Sequence, residues 1–138
     1  KKVYWAIVKG RPVEDQGRID MPLGKMDRSK GWWMKPDPEG LPAQTDWRVC
    51  GRSHDFTWLE LKPETGRTHQ LRVHCQAMGW PILGDPIYGD GKETGEMLHL
   101  HARGITIPLY KNKSPISVEA PPPPHMRERL NACGYSES

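Results

Sequence analysis

The residues best equipped for chemistry are crowded into one run, Arg67-Thr68-His69-Gln70-Leu71-Arg72-Val73-His74-Cys75. It offers guanidinium groups, imidazoles, a thiol and a carboxamide, a set that could hold a metal, move protons or grip a polyanion. Spacing argues against the metal. With His99 and His101 the imidazoles and Cys75 make a suggestive group, but there is no Cys-x-x-Cys and no His-x-x-x-His, and on a helix His69 and His74 point apart. No zinc site is expected, and His101 reads as a packed, hydrogen-bonded strand histidine.

The elements that must position this run can be read from its punctuation. Pro63 presets φ for a turn and Gly66 can supply the positive φ of a tight reversal. Thr68 is a suitable N-cap, and Gly79 followed by Pro81 is a stop, so the spacing predicts a helix over 68–78. Leu71, Val73, Cys75 and Ala77 also alternate with polar residues, the pattern of a half-buried strand; caps and length favour the helix. Leu71, Cys75 and Met78 would form its apolar stripe, with His69, Arg72 and Gln76 on a polar side. Without further information that polar side is a solvated face.

A chain of 138 residues fits one domain with a modest core, and 36% hydrophobic residues with 14 Gly and 14 Pro imply many turns and short strands. The net charge of +3 permits a polyanionic partner without requiring one. Cys50, Cys75 and Cys133 are an odd count far apart, which fits reduced thiols in a cytoplasmic protein. No apolar run approaches a membrane span, and the first residues have no signal-peptide layout. Because strand-like sequence starts at once, the chain is expected to be cut from something longer.

Along the chain, 2–9 is β-prone and reads as a strand ended by Gly10-Arg11-Pro12. A short strand is expected at 18–21 within an otherwise long loop up to Pro42. Lys25, Arg28, Lys30 and Lys35, interleaved with Trp32 and Trp33, suit either a charged surface loop or contacts to phosphates and bases. Residues 44–52 and 55–62 alternate around Gly51-Arg52-Ser53-His54 and predict an antiparallel hairpin, with Phe56 and Trp58 on one side and Leu59 and Leu61 on the other. Residues 80–95 form a structured loop in which Asp85 and Tyr88 fix the backbone by hydrogen bonds. Strands are expected over 97–108, with Leu98, Leu100, Ala102, Ile105 and Ile107 in the core, and over 116–120; a helix follows at 125–133.

The run Pro63-Glu64-Thr65-Gly66-Arg67-Thr68-His69-Gln70-Leu71-Arg72-Val73-His74, with Gly79-x-Pro81-Ile82-x-Gly84-Asp85-x-x-Tyr88-Gly89 after it, resembles the signature of the RluA-type RNA pseudouridine synthases. Weaker matches extend it: Tyr4-x-Ala6-x-Val8-x-Gly10, Gly17-x-Ile19-Asp20-x-Pro22-Leu23 and Leu98-x-Leu100-His101-Ala102. The resemblance spans nearly the whole chain in the family's order.

It implies an α+β fold, a mixed and mostly antiparallel sheet with the central helix on one face, as one domain (1–138) that is the C-terminal part of a catalytic domain. The implied reaction breaks the N1–C1′ bond of a uridine in rRNA or tRNA and rejoins the base through C5, with no metal or cofactor. The family's catalytic aspartate lies in a His-Arg-Leu-Asp motif that this chain lacks. Arg72 matches the arginine that pairs with it; a guanidinium beside a carboxylate favours its ionised form by roughly one to three pKa units and orients it with a planar fork. Tyr4 matches the tyrosine lying against the target uridine. Arg67, His69, Gln70 and Leu71 are the expected RNA contacts, since an extruded base needs stacking and backbone contacts to offset unstacking. The chain alone is then expected to be inert. The competing readings are a non-catalytic RNA-binding module and a protein-interaction domain.

Overall fold

The computed structural model describes residues 1–26, 31, 33–108 and 114–136. Its strands are β1 (Lys2–Lys9), β2 (Gln16–Asp20), β3 (Leu23–Lys25), β4 (Met34–Pro36), β5 (Gln44–Arg52), β6 (Phe56–Pro63), β7 (Leu100–Ile107) and β8 (Ile116–Glu119). The helices are α1 (Gln70–Ala77), the single turn α2 (Gly91–Thr94) and α3 (Pro124–Ala132). Six strands form one sheet in the order β2-β5-β6-β1-β7-β8, antiparallel at every ladder, while β3 and β4 pair separately. The α+β architecture is the expected one.

β1 lies at the centre because its residues can be buried on both sides. Ala6 and Val8 join Leu59 and Leu61 of β6 on the face covered by α1, where Leu71, Cys75, Trp80 and Ile82 complete a core. Trp5 and Ile7 point the other way, onto Met126, Leu130 and Cys133, with Phe56 and Trp58 beside them. The period-two pattern of β6 thus sorts its side chains as the alternation requires. Each fully buried aliphatic chain here contributes about 1.5–3 kcal/mol. α1 is held from its outer side too, since Val73 packs on Leu23, Met34 and Ala43 beneath the β3–β4 hairpin.

Several expectations need correction. The segment 13–42 is not simply a loop, because β3 and β4 form a hairpin that backs onto α1; Arg28, Lys30 and Trp32 lie outside the described residues. The helix predicted over 68–78 begins only at Gln70, and its N-cap is His69 with no side-chain capping bond, in place of Thr68. Pro63 is the last residue of β6, and the positive φ assigned to Gly66 falls on His69 instead, at 54°.

The helix stop is as read: Gly79, at φ 91°, and Trp80 donate their N–H groups to the carbonyls of Gln76 and Cys75, a Schellman ending. Met78 is 42% exposed, outside the buried stripe, whereas Gln70, Leu71, Val73, His74 and Cys75 are all buried. On β7 the assumed core residues Ala102, Ile105 and Ile107 are exposed, because among the described residues no helix covers that end of the sheet. Among the described residues no helix is long and apolar enough to cross a membrane.

Candidate active-site cleft

A cleft of about 260 Å³ opens between the start of β1, the turn after β6 and the first turn of α1, lined by Tyr4, Arg67, His69, Leu71 and Arg72 among others. The residues singled out from sequence therefore converge on one surface. Tyr4 projects from β1, half-buried, with its ring against the core shared by Leu61 and Leu71. Leu71 forms the apolar floor beside it.

Arg72 is held rather than free. Its Nε donates to Asp85 Oδ2 at 2.9 Å and its Nη2 to Asp85 Oδ1 at 2.8 Å, a bidentate pair in which the Asp85 side chain is 0% and the Arg72 side chain 15% exposed. Oδ1 also accepts the N–H groups of Ile87 and Tyr88, so the loop-fixing role read for Asp85 is half of what it does. Burial pushes the Asp85 carboxyl up, but the Arg72 hydrogen bonds and charge and the two backbone N–H groups outweigh it and hold the pKa below the usual value. The guanidinium also lies over the Tyr88 ring, 5.3 Å from its centroid. Among the described residues Nη1 makes no hydrogen bond, which leaves one edge of the fork for another carboxylate.

The turn leading into α1 is clamped by Gln70. Its Oε1 accepts the Thr65 hydroxyl at 2.7 Å and the Arg67 N–H at 3.1 Å, and its Nε2 donates to Gln44 O and Thr45 Oγ1. Thr45 in turn donates to His74 Nδ1, because His74 Nε2–H is committed to the Met21 carbonyl. Burial lowers the His74 pKa. Gln70, expected as an RNA contact, is thus buried with both amide atoms occupied inside the protein. Arg67 donates Nε to Pro42 O at 2.8 Å, which fixes the direction of a side chain that also lines the cleft. His69 reaches Tyr88 through Nδ1 at 2.8 Å.

Sequence reasoning missed the Asp85–Arg72 pair and the Tyr88–His69 contact. The signal available was the pair of short-range turn residues in Gly84-Asp85-Pro86-Ile87-Tyr88, but nothing local says that the loop folds back over α1. Among the described residues no three His, Cys, Asp or Glu side chains are grouped so as to hold a metal ion.

The sequence profile of the RNA pseudouridylate synthases matches residues 1–77, more than half of the chain. The chain belongs to that family. It is 43% identical over 126 residues to an uncharacterized RNA pseudouridine synthase of Zymomonas mobilis, covering 89% of this chain and 57% of that protein. It is 42% identical over 115 residues to the dual-specificity RNA pseudouridine synthase RluA of Yersinia pestis, covering 78% of this chain and 53% of that one. Among solved structures, human RNA pseudouridylate synthase domain containing 4 superposes with a TM-score of 0.74 at 28% identity, covering 94% of this chain and 62% of that one. Human RNA pseudouridylate synthase domain containing 1 gives 0.73 at 31% identity, covering 87% and 54%. The chain spans about half the length of such relatives. The cleft sits in the matched segment: Tyr4, Arg67, His69, Leu71 and Arg72 all fall within it.

Proposed function

We propose that this chain forms one wall of the active site of an enzyme that isomerises uridine to pseudouridine in structured rRNA or tRNA. Arg72 is the residue that would pair with the attacking aspartate, Tyr4 the residue that would lie against the target uridine, and Arg67, His69 and Leu71 the surface that would meet the RNA. Gln70 acts beneath that surface, holding the turn. The observation that carries the reading is the clamped guanidinium. Asp85 fixes Arg72 by Nε and Nη2 while Nη1 makes no hydrogen bond among the described residues, and Arg72 lines a cleft shared with Tyr4. A carboxylate arriving there would be oriented and kept ionised, as a nucleophile must be. It would come from a His-Arg-Leu-Asp segment that this chain does not contain, so the chain by itself is inert.

The test is to incubate the chain with uridine-bearing ribosomal or transfer RNA, then repeat with a longer protein that carries such a segment ahead of Lys1. Pseudouridine is expected only from the second, and Arg72→Lys in it should abolish most turnover, because an ammonium lacks the fork. Turnover by the chain alone would show that the acid lies elsewhere. RNA affinity that falls with salt, without turnover in either protein, would leave a non-catalytic RNA-binding module as the function.

A further inference from the structure

His69 is constrained beyond what a surface histidine needs. Its backbone is left-handed, φ 54° and ψ 20°, a conformation shared by no other described residue except glycines. A residue with a β-carbon stays there only when its surroundings over-determine it. Here the surroundings include one hydroxyl. The Tyr88 oxygen is 2.8 Å from His69 Nδ1 and 2.8 Å from the Met34 amide nitrogen.

An amide N–H can only donate, so Met34 occupies a lone pair of the phenol oxygen. The phenol has a single hydrogen, and among the described residues it meets no other acceptor. Directed to His69 Nδ1, the acceptor within reach at 2.8 Å, it leaves that nitrogen bare and puts the one proton of the neutral ring on Nε2. Nε2 has no partner among the described residues, and His69 lines the cleft beside Arg67 and Arg72.

We infer that His69 is a neutral N–H donor, oriented by Tyr88, for an uncharged oxygen of the bound nucleotide: a base carbonyl or a ribose hydroxyl, not a phosphate. This rests on the RNA-binding reading above and names the chemistry of one of its contacts. The surrounding groups agree with a neutral ring. Burial and then the Arg72 guanidinium lower the His69 pKa, while Asp85, which opposes them, is already paired with Arg72. The cations that a phosphate would prefer are Arg67 and Lys2, which line the same cleft.

Two measurements test this. Ring nitrogen NMR of the chain at about pH 7.5 should show His69 Nδ1 as an unprotonated acceptor and Nε2 protonated, a preference weakened by Tyr88→Phe; a dominant Nδ1–H form overturns the inference. Affinity for a uridine-containing single-stranded oligonucleotide is then measured between about 50 and 200 mM salt. His69→Gly removes the donor without backbone strain and should lower affinity about tenfold at every salt concentration, whereas His69→Gln, which keeps a neutral N–H donor, should stay within about threefold.

A salt slope shallower by about 0.7 in His69→Gly means a phosphate contact and overturns the inference. So does unchanged affinity, in which case the RNA reading survives alone. A wild-type chain with no salt-dependent affinity overturns both. A loss that persists with 2′-deoxyuridine assigns the oxygen to the base, and one that vanishes there assigns it to the ribose; each supports the inference.

Discussion

Replacing Asp85 by asparagine isolates the interaction that holds Arg72. The wild-type carboxylate is 0% exposed and bound to two guanidinium nitrogens at 2.8 and 2.9 Å. Removing one partner of a buried pair typically destabilises by about 3–5 kcal/mol, much of it from the charge left behind. Two features reduce this: asparagine keeps one carbonyl oxygen for the Ile87 and Tyr88 N–H groups, and Arg72 at 15% exposure can recover some water. A loss of about 2–3 kcal/mol is expected. With a urea m-value of about 2 kcal/mol/M, the midpoint should fall by roughly 1–1.5 M.

The pH dependence of that difference is a second check. The folded pKa of Asp85 lies below its unfolded value, so its contribution is complete above about pH 4 and is lost as pH falls through the folded value. Wild type and Asp85→Asn should therefore converge in strong acid. A variant within about 0.5 kcal/mol of wild type at neutral pH, or a gap that persists unchanged in strong acid, would refute the account of the clamp.

Further outcomes follow from other parts of the fold. Gln70→Leu strands the Arg67 N–H and the Thr65 hydroxyl in a half-buried turn, and should lower stability by about 1–2 kcal/mol in urea melts while accelerating amide exchange at Arg67. His74 and His99 are buried with pKa values lowered chiefly by that burial. The unfolded chain therefore takes up more protons below about pH 6.5, and stability should be full above that and decline in acid by up to about 1.4 kcal/mol per pH unit for each histidine. A flat urea midpoint from neutrality into mild acid would contradict it. In Gly51→Ala the new Cβ would stand 1.8 Å from the Cys133 carbonyl oxygen. That clash should destabilise the β5 bulge and the end of α3 by about 3 kcal/mol, read as a lower urea midpoint.

What could be read from the sequence was whatever local pattern dictates. The β5–β6 hairpin shows in the alternation of Phe56 to Leu61, and the end of α1 in Gly79, because only glycine takes that φ freely. The beginning of α1 was not legible, since the left-handed residue is a histidine held by a tyrosine from another loop. Gln70 looked like part of a polar surface because its four hydrogen-bond partners come from β5 and the preceding turn, which a helical period cannot reveal. Arg72 was placed at a cleft, but its partner Asp85 reaches it only after the chain has closed a loop over the helix. Ile105 and Ile107 misled in the opposite sense: their apolarity suggested a core that the described residues do not build.

The two margins of the main sheet are unequally defended. At β2 the outer strand carries Arg18 and Asp20, with Arg18 locked to Asp46 at 2.7 Å. At β8 every residue is open to solvent, Ile116 and Val118 alternating with Ser117 and Glu119, and Ile105 and Ile107 on β7 beside them are exposed too. Outermost amides and carbonyls flanked by greasy side chains act as a template for further strands, and charge is what ordinarily discourages them. Any self-association of concentrated chain would therefore grow from the β8 rim, with the β2 rim closed to it.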